Sequence, residues 1–123
     1  MSEILLKPAN VKAGTFGKRY LRLVDGTIYG QPLYLPRVKI AGKGLHNVIF
    51  VATGHNSLYA FDADDNTGAN AAPLWQISFI DPAHGVTAVP ATDIGCFVVQ
   101  PELGVIGTPV IDPVAGTIYV IAE

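Results

Sequence analysis

The stretch VIFVATGHNSLYAF, residues 48–61, decides the fold class. Its first five residues are continuously apolar and mostly β-branched or aromatic, which is typical of a strand buried on both faces. Residues 54–57 supply turn-forming side chains, and a second β-prone run follows at residues 58–61. This stretch therefore predicts a β-hairpin. No window of the chain shows the 3.6-residue apolar period of a long amphipathic helix.

The rest of the chain is divided by 13 Gly and 9 Pro residues into short β-prone segments. Further strands are predicted at residues 2–6, 18–24, 27–35, 74–80, 107–112 and 117–122. Residues 36–46 are interpreted as a loop because they hold a proline, two glycines and two lysines, and Asn10 is expected to cap one helical turn. The predicted fold class is all-β, with antiparallel sheets.

A Gly-x-Pro-apolar motif occurs twice, at residues 30–33 and 107–110. Each copy is followed by an apolar–aromatic–Val triplet, at residues 49–51 and 118–120. Two copies of one strand-turn-strand unit indicate a repeat architecture. The marker residues of the two copies are Gly30, Pro32, Gly107 and Pro109.

Composition and charge exclude several kinds of partner. The net charge is −2, and charged residues make up 15% of the chain, below the ~25% typical of soluble domains. The 8 basic residues are scattered, so no nucleic-acid partner is expected. Apolar residues make up 50%, more than one small domain hides comfortably, which predicts an apolar interface.

Membrane and export signals are also lacking in the sequence. No apolar run reaches the ~18 residues of a membrane helix, so no membrane partner is expected. Residues 1–13 do not resemble a signal peptide, which predicts a cytoplasmic location for the chain as given. The single cysteine, Cys96, excludes an internal disulfide and is interpreted as a small buried apolar side chain.

Residues 58–63, LYAFDA, with the Thr-Gly and Leu-Trp pairs that follow, resemble the blade signature of pyrroloquinoline-quinone-type β-propellers. In that family the Asp and the Thr-Gly shape a turn and the Trp packs between blades. The resemblance gives these roles to Asp62, Thr67, Gly68 and Trp75. This chain departs from the signature at residues 69–72, which lengthen the turn.

From residue 7 onward the chain is similar to the N-terminal part of bacterial quinoprotein-like proteins. For the parent family, the resemblance implies a periplasmic or secreted location. The resemblance implies one domain, 1–123, with a first blade-like unit at 17–80, a long loop at 81–106 and the start of a second blade at 107–123. A propeller closes a ring of about four to eight blades. Since a blade takes about 40–50 residues, the resemblance implies that this chain is an incomplete propeller with open strand edges.

Open strand edges are expected to pair or exchange between copies, which predicts a homo-oligomer. Lys18, Arg19 and Arg22 are expected to protect the edge of the first strand, and no comparable charges lie at residues 118–121. The function expected is a non-catalytic structural or interaction module. The alternative is the N-terminal portion of a quinone-dependent dehydrogenase that needs the missing blades.

Two candidate ligand sites accompany these expectations. Asp62, Asp64 and Asn66 alternate like calcium-loop ligands, but the glycine falls one place late and Pro73 takes the twelfth position. A solvated turn is the preferred interpretation, with no metal.

Glu102 lies in a stretch that resembles a calcium-binding segment of quinoprotein alcohol dehydrogenases, but Ile106 replaces the family's arginine there. No catalytic residue is predicted, and His46, His55 and His84 lack metal-ligand spacing. The chain alone is expected to bind no cofactor, although the family binds pyrroloquinoline quinone and calcium.

Overall fold

The computed structural model describes residues 6–14, 16–95 and 98–123, and these residues form antiparallel β-sheets with almost no helix. The main sheet has the strand order β1-β2-β3-β4, with β1 (Leu33–Ile40), β2 (Gly44–Ala52), β3 (Ser57–Asp62) and β4 (Trp75–Ser78). Two short pairs follow, formed by β5 (Val89–Pro90) with β6 (Glu102–Leu103) and by β7 (Val110–Asp112) with β8 (Thr117–Tyr119). The all-β antiparallel prediction is confirmed. The described strands form open sheets and no closed ring.

The hairpin predicted from residues 48–61 is confirmed as β2 and β3. All six residues of β3 are buried, because the main sheet is covered on both faces. On one face Val48, Phe50 and Ala60 form an apolar cluster, and on the other Val51 and Tyr59 form a second cluster with Phe61. A continuous apolar run fits such a strand, since neither face meets water.

The loop predicted at residues 36–46 is wrong. The first strand continues to Ile40, and β2 begins at Gly44. The register between β1 and β2 shifts between Leu35 and Val38, and Arg37 has a φ of 57°. Such a bulge accommodates a proline on an edge strand, so Pro36 marks an irregular strand and not a loop.

The strand predicted at residues 18–24 is also wrong, as is the start of the one at 27–35. Residues 18–32 belong to no strand, although Val24 packs on the cluster of Val51, Tyr59 and Phe61. Arg22 and Val24 contact a face of the main sheet, so this part of the segment runs over the sheet instead of pairing with its edge. Residues 8–14 form turns and bends without a helix, so the helical turn predicted from Asn10 to Ala13 is wrong. Most of the strand predicted at 2–6 lies outside the described residues.

The β7–β8 hairpin confirms the pair of strands predicted at residues 107–112 and 117–122, although β7 begins at Val110 and β8 ends at Tyr119. Ile111 and Ile118 pack against the Val48–Phe50 cluster, so this hairpin forms a second layer on the main sheet. The full burial of an apolar side chain such as Val48 contributes roughly 1.5–3 kcal/mol. The apolar burial in this cluster therefore stabilises the fold.

The two motif copies have the same strand register. Leu33 lies opposite Phe50 in the first copy, and Val110 lies opposite Tyr119 in the second. The next pairs along, Tyr34 with Ile49 and Ile111 with Ile118, are also equivalent. The sequence repeat is thus a structural repeat of two antiparallel strands.

The two Gly-x-Pro motifs also contact each other. A Cβ added to Gly30 would lie 2.7 Å from the carbonyl oxygen of Gly107, so the contact requires glycine. The Gln31 N–H donates to Thr108 Oγ1 at 2.9 Å. Pro32 is exposed and Pro109 is buried.

The excursion predicted at residues 81–106 contains short ordered elements. A 3₁₀ turn at Pro82–His84 is followed by the two-residue pair of β5 with β6. Val105 is buried against Ala52 and Leu58 of the main sheet, which anchors the end of the excursion.

Candidate interaction surface

The outer face of the β7–β8 hairpin is apolar and exposed. Val110, Tyr119 and Ile121 have 63%, 57% and 78% of their surface accessible. Together with Gly107, Thr108 and Val120 they line a groove of about 350 Å³. These three side chains are called the outer face below.

Asp112 lies on the same strand as Val110 and holds the turn of the hairpin. Its Oδ1 accepts the N–H groups of Val114 at 2.9 Å and Ala115 at 3.0 Å, which closes the turn between β7 and β8. The carboxylate is therefore engaged in turn formation.

The edge of β8 pairs with β7 on one side only. On its other side, no strand of the described residues forms a ladder with it. Beyond β8, the Asn56 side chain contacts the backbone of Glu123, accepting its N–H at 3.2 Å and donating to its carbonyl. These contacts tie residues 120–123 to the turn between β2 and β3, so the chain leaves β8 in a defined direction.

A second apolar groove runs beside β8, above the main sheet. It measures about 470 Å³ and is lined by Leu58, Trp75, Gln76, Ile77, Phe79, Ile118 and Val120. The Trp75 ring of β4 packs in one cluster with Ile118 and Val120 and is tilted at 48° to Phe50, with ring centroids 5.8 Å apart.

The opposite side of the molecule also exposes apolar side chains. Tyr34, on the face of the main sheet turned away from the hairpin, is 58% accessible. Leu21 and Leu23 point outward from the segment at residues 18–32, with 62% and 81% accessible. Apolar surface therefore lies at both ends of the layered structure.

The turn after β3 contains most of the predicted signature and ligand residues. Asp62 Oδ1 accepts the N–H groups of Asp64 and Asp65, each at 2.8 Å, and Oδ2 lies 2.5 Å from His46 Nδ1. Asp64 accepts Asn47 Nδ2 at 2.7 Å. Both oxygens of Asp62 are thus engaged in shaping the turn.

Thr67 and Gly68 continue this turn. The backbone N–H and the hydroxyl of Thr67 both donate to Asp65 Oδ1, at 2.9 and 2.8 Å, and Gly68 has a φ of 51°. The carboxylate that holds Thr67 is therefore Asp65, which the sequence had not singled out. Within the described residues, no group of three or more His, Cys, Asp or Glu side chains is arranged to hold a metal ion.

Arg22 connects the N-terminal segment to the turn after β3. Its guanidinium donates to the carbonyls of Asn70 at 2.7 Å, Asp62 at 3.0 Å and Asp65 at 2.6 Å. It also lies over the rings of Tyr20 and Phe61, at 5.0 and 5.3 Å from the centroids. The expectation that Arg22 protects a strand edge is wrong, because it binds carbonyl groups inside the molecule.

His46 is held by two acceptors. Its Nδ1 pairs with Asp62, and its Nε2 lies 2.9 Å from the carbonyl oxygen of Lys43. Both contacts favour the protonated ring, so the hydrogen bond to Asp62 and then that to Lys43 raise the pKa of His46. Burial acts to raise the pKa of Asp62, but its hydrogen bonds with His46 and two backbone N–H groups hold that pKa below its ordinary value.

Glu102 binds a histidine. Its Oε1 contacts His55 Nδ1, and this hydrogen bond is the main cause of a raised His55 pKa. The contact joins the turn between β2 and β3 to β6.

Asp25 forms a neighbouring polar contact, accepting the hydroxyls of Thr53 at 2.8 Å and Ser57 at 2.5 Å. Burial acts to raise the pKa of Asp25, but the hydrogen bonds from Ser57, Thr53 and Tyr59 lower it overall. These contacts were missed because their partners are far apart in the sequence.

Cys96 lies outside the described residues. His84 pairs with Asp81 at 2.6 Å on an exposed turn. Within the described residues, no helix is both long enough and apolar enough to cross a bilayer. No protein-family model matches this chain, and neither a curated protein nor a solved structure is significantly similar to it.

Proposed function

We propose that this chain is a non-catalytic structural module that associates with further copies of itself through the exposed edge of β8. The observation that carries the proposal is that β8 has a ladder partner on one side only, while apolar side chains on and beside it are exposed. A strand edge of this kind is a template for another strand, and natural proteins cover it or protect it.

The contrast between the edges of β1 and β8 supports this proposal. The edge strand β1 contains a bulge, a proline and two cationic residues, Arg37 and Lys39, which are typical protections against edge pairing. The last residues of β8 and those after it, Tyr119, Val120 and Ile121, carry no charge and no proline.

The structural repeat indicates where a strand from a second copy would lie. In the main sheet, β2 is followed by β3, with Phe50 opposite Ala60. Since β8 is the repeat equivalent of β2, a strand added to β8 would occupy the equivalent position of β3 and fill the groove between Trp75 and Val120. We propose on this basis that the two strand pairs are blade-type units, one complete and one begun.

A structural role also agrees with the state of the polar groups. Of the carboxylates considered as ligands, Asp62 and Glu102 are paired with His46 and His55, and Asp64 accepts a hydrogen bond from Asn47. We propose that the chain by itself holds neither pyrroloquinoline quinone nor calcium.

Light scattering after size-exclusion chromatography tests the proposal. We expect the molar mass of the unmodified protein to rise above that of one chain as the loading concentration increases. Ile121→Lys places a charge beside β8 and should weaken association at least tenfold. Val114→Lys is the matched control, because Val114 is 96% accessible at the tip of the same hairpin but away from the edge of β8. A mass of one chain at every concentration, or equal effects of the two variants, would contradict the proposal.

A further inference from the structure

The main sheet and the β7–β8 hairpin pack together through an apolar interface. The repeat places surfaces equivalent to both of its sides on the outside of the molecule. Inside the molecule, the face of the main sheet that carries Leu33 and Phe50 packs against the face of the hairpin that carries Ile111 and Ile118. The register of the two motif copies makes Val110 and Tyr119 the equivalents of Leu33 and Phe50. The same register makes Tyr34 the equivalent of Ile111 and Ile49 the equivalent of Ile118.

Residues on both equivalent faces are open to solvent. Val110 and Tyr119 face away from the main sheet with more than half of their surface accessible, and Tyr34 is 58% accessible on the far side of the main sheet. Ile49, opposite Tyr34, is half-buried. One molecule therefore presents both sides of an interface of a type that it already forms internally.

We infer that a second copy of this chain docks head-to-tail, with its Tyr34–Ile49 face on the Val110–Tyr119 face of the first copy. The inference rests on the self-association proposed above and names the surfaces that meet. None of the four residues is charged, so apolar burial drives the contact. Because the two surfaces differ, the interface is heterologous, and its repetition gives a ring or an open chain of copies.

This arrangement also explains how the edge of β8 is covered. Residues 18–24 of the docked copy lie on the same face of its main sheet as Ile49, since Val24 and Ile49 pack on one cluster. They belong to no strand pair among the described residues. Docking brings this extended segment to the β8 side of the first copy, where its backbone can form a ladder with the open edge.

A complementation experiment with two variants tests the head-to-tail arrangement. Tyr119→Lys disables the hairpin face and leaves the Tyr34 face intact, whereas Tyr34→Lys does the reverse. Each variant alone should remain at the mass of one chain at concentrations where the unmodified protein associates. An equimolar mixture should form a species with twice the mass of one chain and nothing larger, because only one intact interface forms between the two variants.

The outcomes separate this inference from the proposed function. If the unmodified protein associates but the mixture stays at the mass of one chain, or if Tyr34→Lys associates as well as the unmodified protein, the head-to-tail arrangement is wrong and self-association stands. If the unmodified protein never exceeds the mass of one chain, both are wrong. Circular dichroism checks that each variant is folded, and the pair Tyr34→Thr with Tyr119→Thr, which keeps a high strand propensity, replaces any lysine variant that is not.

Discussion

His46 and Asp62 form the contact that fixes the turn after β3 to the start of β2. The imidazole bridges Asp62 and the carbonyl of Lys43, and Asp62 in turn holds two backbone N–H groups. The resemblance assigned Asp62 a role in a turn, and the structure places it there. Its partner could not be read from the chain, since it comes from β2, 16 residues earlier, and depends on the register of that hairpin.

This contact predicts a pH dependence of stability. The raised pKa of His46 means that the folded state binds its proton more tightly than the unfolded state. The resulting stabilisation is fully present below the unfolded pKa of about 6.5 and is lost as the pH rises through the folded value.

Urea unfolding between pH 5 and pH 9 measures this effect. We expect the unfolding free energy of the unmodified protein to exceed that of His46→Gln most at pH 5, with a difference that shrinks toward pH 9. His84→Gln is the control, because the His84 side chain is 80% accessible and its partner is on the same turn. A difference between the unmodified protein and His46→Gln that is constant across this range would contradict the assignment.

At the scale of the element, continuous apolar runs predicted strands correctly. The predictions that relied on glycine and proline failed, because these residues occur both in loops and in bulged strands. Residues 48–61 became β2 and β3, because continuous apolar residues specify a strand covered on both faces. Residues 36–46 were predicted as a loop, yet Pro36 lies at a bulge and Gly42 in a tight turn with a φ of 70°. The sequence does not distinguish a bulged edge strand from a loop, because the covering layer decides it.

Gly104 holds the end of the excursion at 81–106 against the turn between β2 and β3. A Cβ at Gly104 would lie 2.2 Å from the carbonyl oxygen of Gly54 and 2.9 Å from the backbone nitrogen of Asn56. Both are backbone atoms, so Gly104→Ala must displace one of the two segments. We expect a loss of about 1–3 kcal/mol in unfolding free energy, as for other overpacked sites.

Gly107→Ala is the matched control for this variant. A Cβ at Gly107 would meet no atom within 4 Å, and its backbone does not require glycine. We expect Gly107→Ala to be within about 0.5 kcal/mol of the unmodified protein, or slightly more stable because the unfolded chain loses freedom. Equal destabilisation by both variants in chemical unfolding at low protein concentration would show that the close approach of Gly104 is not the cause.

At the scale of the whole molecule, the chain is a stack of layers with apolar surface at both ends. The N-terminal segment lies on one face of the main sheet through Val24 and Arg22, and the β7–β8 hairpin lies on the other through Ile111 and Ile118. The high apolar fraction of the sequence anticipated the leftover surface. The sequence did not predict where the exposed apolar surface lies, because its location depends on which face of each strand is buried, and the strand register sets that face.

Hydrogen–deuterium exchange at two protein concentrations tests the central claim most directly. Residues 107–123 should contain more protected backbone amides when the protein is concentrated than in dilute solution, because a second copy then covers the open edge of β8. Residues 57–62 of β3, buried within one molecule, should be protected equally at both concentrations. Exchange of residues 107–123 that does not change with concentration would contradict the account.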